Sequence, residues 1–186
     1  LIPTRIVVGR DALDGLGELG LAAAACAPFV ASITHPRPFL AAWSVGEEHL
    51  SLLVPHVNNV EYLRWVDRLA ELHADALGHT RARLVESDRC FFVARHEIDY
   101  HGECMLGDEL VGATWVSSMK RSTSWRETRI ARVRDGVVVA TARTLWAFVD
   151  LVSRRAVRVP AAMAASFDPL DPSALTASSD RGEEGR

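Results

Sequence analysis

The chain has 186 residues, 48% of them hydrophobic and 24% charged, with a formal net charge of -3. This is the balance of a soluble globular protein of one ordinary domain with a full core. Lys120 is the only lysine among otherwise arginine cations, and no segment concentrates basic groups, which argues against a nucleic-acid binder. Cys26, Cys90 and Cys104 show no metal or redox spacing and read as free thiols of a reducing cytoplasm.

In chain order, residues 6–9 suggest a short strand and Asp11–Leu19 a short helix. The apolar run Leu21–Thr34 is too short to span a bilayer, is broken by Pro28, and lacks a basic leader or a cleavage site. Neither a membrane span nor a signal peptide is expected. Pro28, Pro36 and Pro38 rule out a long helix there. Gly9, Gly15, Gly17 and Gly20 lack the spacing of a phosphate loop. Residues 1–45 are expected to form an N-terminal extension packed on the surface of a domain spanning 46–165.

A clear helical signal follows. Asn59 is the expected N-cap, Glu61 complements the helix dipole, and Gly78 closes the helix. Tyr62, Leu63, Val66, Leu69, Ala70, Ala76 and Leu77 form a broad apolar stripe, which predicts a largely buried helix. The period then changes to two. Phe92, Ala94, His96, Ile98 and Tyr100 are expected to share one strand face, with further strands over 109–119 and 123–134. Asp135-Gly136 signals a hairpin into a final strand from Val137 to Asp150, continuing past Arg154-Arg155 to Val159 before Pro160 ends it. Residues 166–186, rich in Ser, Asp, Pro and Gly, are expected to be disordered. The class is α+β: one long helix against a long antiparallel sheet, whose open face and edge call for cover by a second copy.

The chemistry concentrates at His56-Val57-Asn58-Asn59-Val60-Glu61-Tyr62, where a titratable ring meets the unpaired N–H groups of a helix start. A second segment, Asp99-Tyr100-His101-Gly102-Glu103-Cys104, follows the first long strand. With these two motifs in this order, residues 50–160 resemble the thioesterase branch of the hotdog superfamily. That branch includes the 4-hydroxybenzoyl-CoA-type and acyl-ACP thioesterases, and in this fold a curved antiparallel sheet wraps a central helix. The resemblance implies a cytoplasmic thioesterase of fatty-acid metabolism. It would hydrolyse acyl-CoA or acyl-carrier-protein thioesters to acid and thiol, as a homodimer or tetramer without cofactor or metal.

On that resemblance the helix-start amides at Asn59 and Val60 hold the thioester carbonyl. His56 and Asn58 position the reacting groups, and Glu103 activates water. Tyr62, Asp67 and Cys104 are substrate-binding candidates, Cys104 reading more simply as a structural thiol. Lys120, Arg121, Arg154 and Arg155 are candidates for the CoA or phosphopantetheine phosphates. Trp65, Trp115, Trp125 and Trp146 read as core or dimer contacts. His73 and His79, six apart, do not build a zinc face. Family members usually carry an aspartate four residues before the histidine, and the acyl-ACP branch adds an asparagine two before it. Here these positions are Leu52 and Val54, with Pro55 next. The alternative is therefore a non-catalytic acyl-thioester binder that has lost its base. A hotdog hydratase or dehydratase fits less well, because its Asp/His arrangement is absent.

Overall fold

The computed structural model describes residues 5–22 and 24–171. Six strands form one antiparallel sheet: β1 (Arg5–Val7), β2 (Phe39–Ser44), β3 (Arg89–Tyr100), β4 (Glu109–Met119), β5 (Thr123–Arg132) and β6 (Val138–Asp150). Their spatial order is β1-β2-β4-β5-β6-β3. The helices are α1 (Ala12–Glu18), α2 (Ala27–Ala31), α3 (Asn59–Ala76), α4 (Arg81–Glu86) and α5 (Ala161–Ser166).

Helix α3 starts where Asn58 caps it, its side-chain oxygen accepting the Val60 N–H at 3.1 Å. The cap is thus one residue earlier than expected, and Asn59 is the first helical residue. Gly78, at φ +82°, ends the helix as expected. Tyr62, Trp65, Val66, Leu69, Ala70 and His73 face inward and pack on one side of the sheet. A Cβ on Gly112 of β4 would lie 2.6 Å from Leu69 Cδ1 and 2.9 Å from the Trp43 ring, so glycine sets the close approach of helix and sheet. Register breaks at Val93/Arg95, Val116/Ser118 and Ile130/Ala131 bend the strands around the helix. This is the α+β hotdog arrangement that the resemblance implies.

Phe39–Ser44, read from sequence as part of a surface extension, is instead a strand paired with β4. Its period of two is hidden because both faces are covered. Phe39, Ala41 and Trp43 join the core under α3, while Leu40 and Ala42 join a second core formed with α1 and α2 on the opposite face. The prolines do keep α2 short.

Strand β3 begins earlier than expected and carries an extra residue at Ala94. That bulge reverses the alternation, so Phe91 packs on Phe148 while Phe92 is exposed. Strand β6 does not run on to Val159. Asp150 accepts the Ser153 N–H and hydroxyl, the chain turns back, and Ala156 bridges to Val149. The hairpin at Asp135-Gly136 is expected to have a two-residue turn, but the strands end earlier and a five-residue loop joins Arg132 to Val138, with Gly136 at φ +66°.

Three short helices escaped the sequence reading: α2, α4 capped by Thr80, and α5 directly after Pro160. Of the tail expected to be disordered, Phe167 is buried against α4 and β4 neighbours, and the amides of Leu170 and Asp171 bond to β4 carbonyls. Residues 172–186 lie outside the described residues.

Candidate active site at the start of helix α3

Two segments meet at the N-terminus of α3. The Val57 N–H donates to the Cys104 carbonyl at 2.8 Å, tying the His56–Asn59 turn to the Gly102–Cys104 loop. The hydroxyls of Tyr62 and Tyr100 add bonds to the Gly102 and Asn59 carbonyls at 3.4 and 3.3 Å. The two sequence motifs therefore form one place in the fold.

At that place Val60 N–H is committed to the Asn58 cap and Glu61 N–H to the Asn58 carbonyl. The Asn59 N–H has no partner among the described residues. It points out at the positive end of an eighteen-residue helix, a donor poised for an oxyanion or a carbonyl. The sequence reading expected both Asn59 and Val60 to offer a free amide, and the cap occupies the Val60 N–H. His56 is half-buried, with Nδ1 sealed from solvent and unpaired. Glu103 is exposed, and its backbone carbonyl is held by Arg132. Replacing Asn58 by alanine removes the cap bond and is expected to cost about 1 kcal/mol in urea unfolding. An unchanged midpoint and slope would contradict that bond.

The remaining expected site residues are distributed as follows. Tyr62 and Cys104 are fully buried in the core under α3. Burial raises the Tyr62 hydroxyl well above its usual range, and Cys104 beside it adds to the shift. Burial likewise raises the Cys104 thiol, which keeps it protonated and removes it as a nucleophile. Val60 is exposed beside the helix start. Asp67 lies eight residues along α3, about 12 Å from Asn59 by helical rise, with Arg81 at 4.0 Å. Leu52 occupies the tip of the Ser51–His56 loop at full exposure, so no carboxylate approaches from the position where relatives carry one. Lys120, Arg121, Arg154 and Arg155 are all exposed at the opposite end of β4, roughly 35 Å away along eleven strand residues. Trp65 and Trp115 are buried, and Trp125 lies under the Arg143 guanidinium at 4.0 Å.

Sequence reading missed a buried polar pair at the other end of α3. Arg126 donates to His73 Nδ1 at 3.0 Å and to the Thr114 hydroxyl at 3.2 Å. The alternation Ser124, Arg126, Thr128, Ile130 along β5 carried the signal, since it puts Arg126 on the buried face. Burial, with the Arg126 cation alongside, pushes His73 from its ordinary 6.5 down to about 2. The unfolded chain therefore binds the extra proton below about pH 6.5. Stability from this group is full above that pH and falls below it, by about 1.4 kcal/mol per pH unit. Urea unfolding between pH 7 and 5 is expected to show a steeper loss in wild type than in His73→Gln, and parallel curves would contradict it.

Among the described residues no group of three or more His, Cys, Asp or Glu side chains is placed to hold a metal ion, and no helix is long and apolar enough to cross a membrane. No curated protein matches the chain in sequence. Solved structures share its fold at low identity. A Staphylococcus aureus protein, SAV2348, solved in complex with CoA, matches with TM-score 0.66 at 14% identity, over 70% of this chain and 82% of that one. The 1,4-dihydroxy-2-naphthoyl-CoA thioesterase of Synechocystis matches with TM-score 0.66 at 15% identity, over 72% and 98%. The probable thioesterase YbaW of Escherichia coli gives TM-score 0.55 at 22% identity, over 64% and 88%. The sequence model of the thioesterase-like superfamily matches residues 54–167, which span the whole of α3, the four long strands and both segments of the site, and the chain belongs to that superfamily.

Proposed function

We propose that this protein hydrolyses an acyl thioester of CoA or of an acyl carrier protein. The observation that carries the reading is the unpartnered Asn59 amide at the start of α3, beside His56 and the Glu103 loop. The thioester carbonyl oxygen accepts the Asn59 N–H, and the helix dipole stabilises the negative charge that develops there. Glu103 takes a proton from water as the water oxygen attacks the carbonyl carbon. The tetrahedral intermediate collapses by breaking the C–S bond, and the departing thiolate takes the proton back from Glu103. His56 hydrogen-bonds the reacting groups, and Asn58 fixes the helix start. Membership of the thioesterase-like superfamily supports this chemistry, and the CoA ligand and CoA thioesterase among the structural neighbours favour CoA as the thiol.

The active form on this reading is a homodimer or tetramer. Strand β3 is a twelve-residue edge with Phe92, Val93 and Tyr100 exposed, which a second copy would cover. Lys120, Arg121, Arg154 and Arg155, remote from Asn59 within one chain, would serve CoA phosphates at the site of a second copy. Three free thiols, Cys26 and Cys104 buried, suit the reducing cytoplasm.

Thiol release from a panel of acyl-CoA and acyl-carrier-protein thioesters tests the function. Release well above the buffer rate is expected. The fully exposed Leu52, where relatives carry their carboxylate, favours one rival, a binder without a base. Acyl-CoA binding by calorimetry without thiol release would select that rival.

A further inference from the structure

A cleft opens between the C-terminal half of α3, α4 and the strands β3 to β6. Leu84, Phe91, Val116, Met119 and Phe167 make much of its wall apolar. Its polar groups on the sheet side are donors. Ser124 and Trp146 stand opposite each other in the β5/β6 register, and Arg126 follows two residues on, facing the same way. Arg126 is only 5% exposed. Its partners, His73 and Thr114, are neutral, and no carboxylate lies within ion-pair reach of it among the described residues. The indole Nε1 of Trp146 is sealed from solvent and unpaired.

A buried cation without an anion is costly, and an anionic ligand group in the cleft answers it. The acidic residues lining the cleft do not. Asp67 and Glu71 are partly exposed and face Arg81 at 4.0 and 3.9 Å, Glu71 also bonding Arg68 at 2.7 Å, while Asp75 lies a turn further along α3.

We propose that this cleft binds a carboxylate carried on an apolar body, with the Arg126 guanidinium as its donor and Trp146 in its wall. The apolar wall takes the body, and the carboxylate supplies the charge that Arg126 lacks. Two sources present this chemistry: a free carboxylic acid, and the far end of an ω-carboxyacyl group. The second rests on the thioester reading above.

The test follows the Trp146 indole N–H resonance in ¹⁵N-labelled protein, assigned with Trp146→Phe, during titration with 3-phenylpropionate and with its uncharged amide. The acid is expected to shift the resonance and to bind at least about tenfold more tightly than the amide. Arg126→Met should abolish that difference and Arg126→Lys should keep part of it, so the lysine variant serves if the methionine variant does not fold. Equal binding of acid and amide to wild type, or no shift with either, overturns the proposal. Thiol release from hexadecanedioyl-CoA and hexadecanoyl-CoA then separates the sources, a length chosen because His73, the partner of Arg126, lies roughly 21 Å along α3 from Asn59. A kcat/KM ratio of about ten or more for the diacid, lost in Arg126→Met, assigns the carboxylate to the acyl group. A ratio near one, with 3-phenylpropionate still bound, assigns it to a free acid. Carboxylate binding without thiol release from either thioester sustains the site and overturns the thioester reading alone.

Discussion

His56→Ala and Glu103→Gln are each expected to lower thioester turnover at least about a hundredfold, the scale of a lost general acid–base or positioning group. Glu103 is exposed and its side chain supports no packing, so the glutamine variant should melt with wild type. His56 is half-buried with an unpaired ring nitrogen, so its removal releases no internal hydrogen bond. Loss of kcat with an unchanged melting temperature therefore reports chemistry rather than folding. Asp67→Asn is the informative companion, because Asp67 is the carboxylate on α3 that opens toward the neighbouring cleft. If Asp67→Asn abolishes turnover while Glu103→Gln does not, the base is on the helix and the proposed role of Glu103 is wrong. Near-wild-type kinetics for both purified His56 and Glu103 variants would defeat the mechanism altogether.

The largest stability effect is expected at Gly136, in the β5–β6 hairpin. A Cβ there would sit 1.9 Å from the Ala25 carbonyl oxygen and 3.0 Å from its carbon, both backbone atoms that cannot rotate away. The residue also holds φ +66°, a conformation that disfavours side chains. Left-handed backbone costs roughly 1–2 kcal/mol and overpacking roughly 1–3, so Gly136→Ala should lose about 3 kcal/mol in urea unfolding. The loss would come from displacing the segment that leads into α2 from the β5–β6 hairpin. A loss below about 0.5 kcal/mol, the range of a neutral surface change, would show that the segment does not pack there.

The parts of the fold legible in sequence were those with one buried and one open face. Helix α3 announced itself through its stripe and its closing glycine, and β5, expected over 123–134, does alternate buried with partly open positions. Strand β2 was hidden for the opposite reason: with α3 on one side and α1 and α2 on the other, Phe39–Trp43 is buried throughout and shows no alternation. The phase of β3 was misread because one inserted residue, Ala94, reverses it, and a bulge has no signature in composition. Strand β6 was extended too far because Ala156, Val157 and Val159 are apolar, while the stop is made by the Asp150 side chain capping a turn.

The site was legible to a similar degree. His56, Asn58, Asn59 and the Glu103 segment meet in the fold because Val57 bonds to Cys104, a pairing between residues 47 positions apart that no local pattern reveals. The division of labour between adjacent amides was not legible, since it depends on which N–H the Asn58 side chain takes. Arg126 was overlooked because a lone arginine in an alternating strand reads as a solvated residue until the opposite face proves to be the more open one.

The central claim is that the Asn59 amide holds the thioester carbonyl. A crystal structure with an acyl-CoA analogue whose thioester sulfur is replaced by methylene tests it most directly, because the ketone cannot be hydrolysed. The account predicts the ketone oxygen about 3 Å from the Asn59 nitrogen, in line with the start of α3. An analogue bound with its ketone elsewhere, and the Asn59 amide left to water, would contradict it.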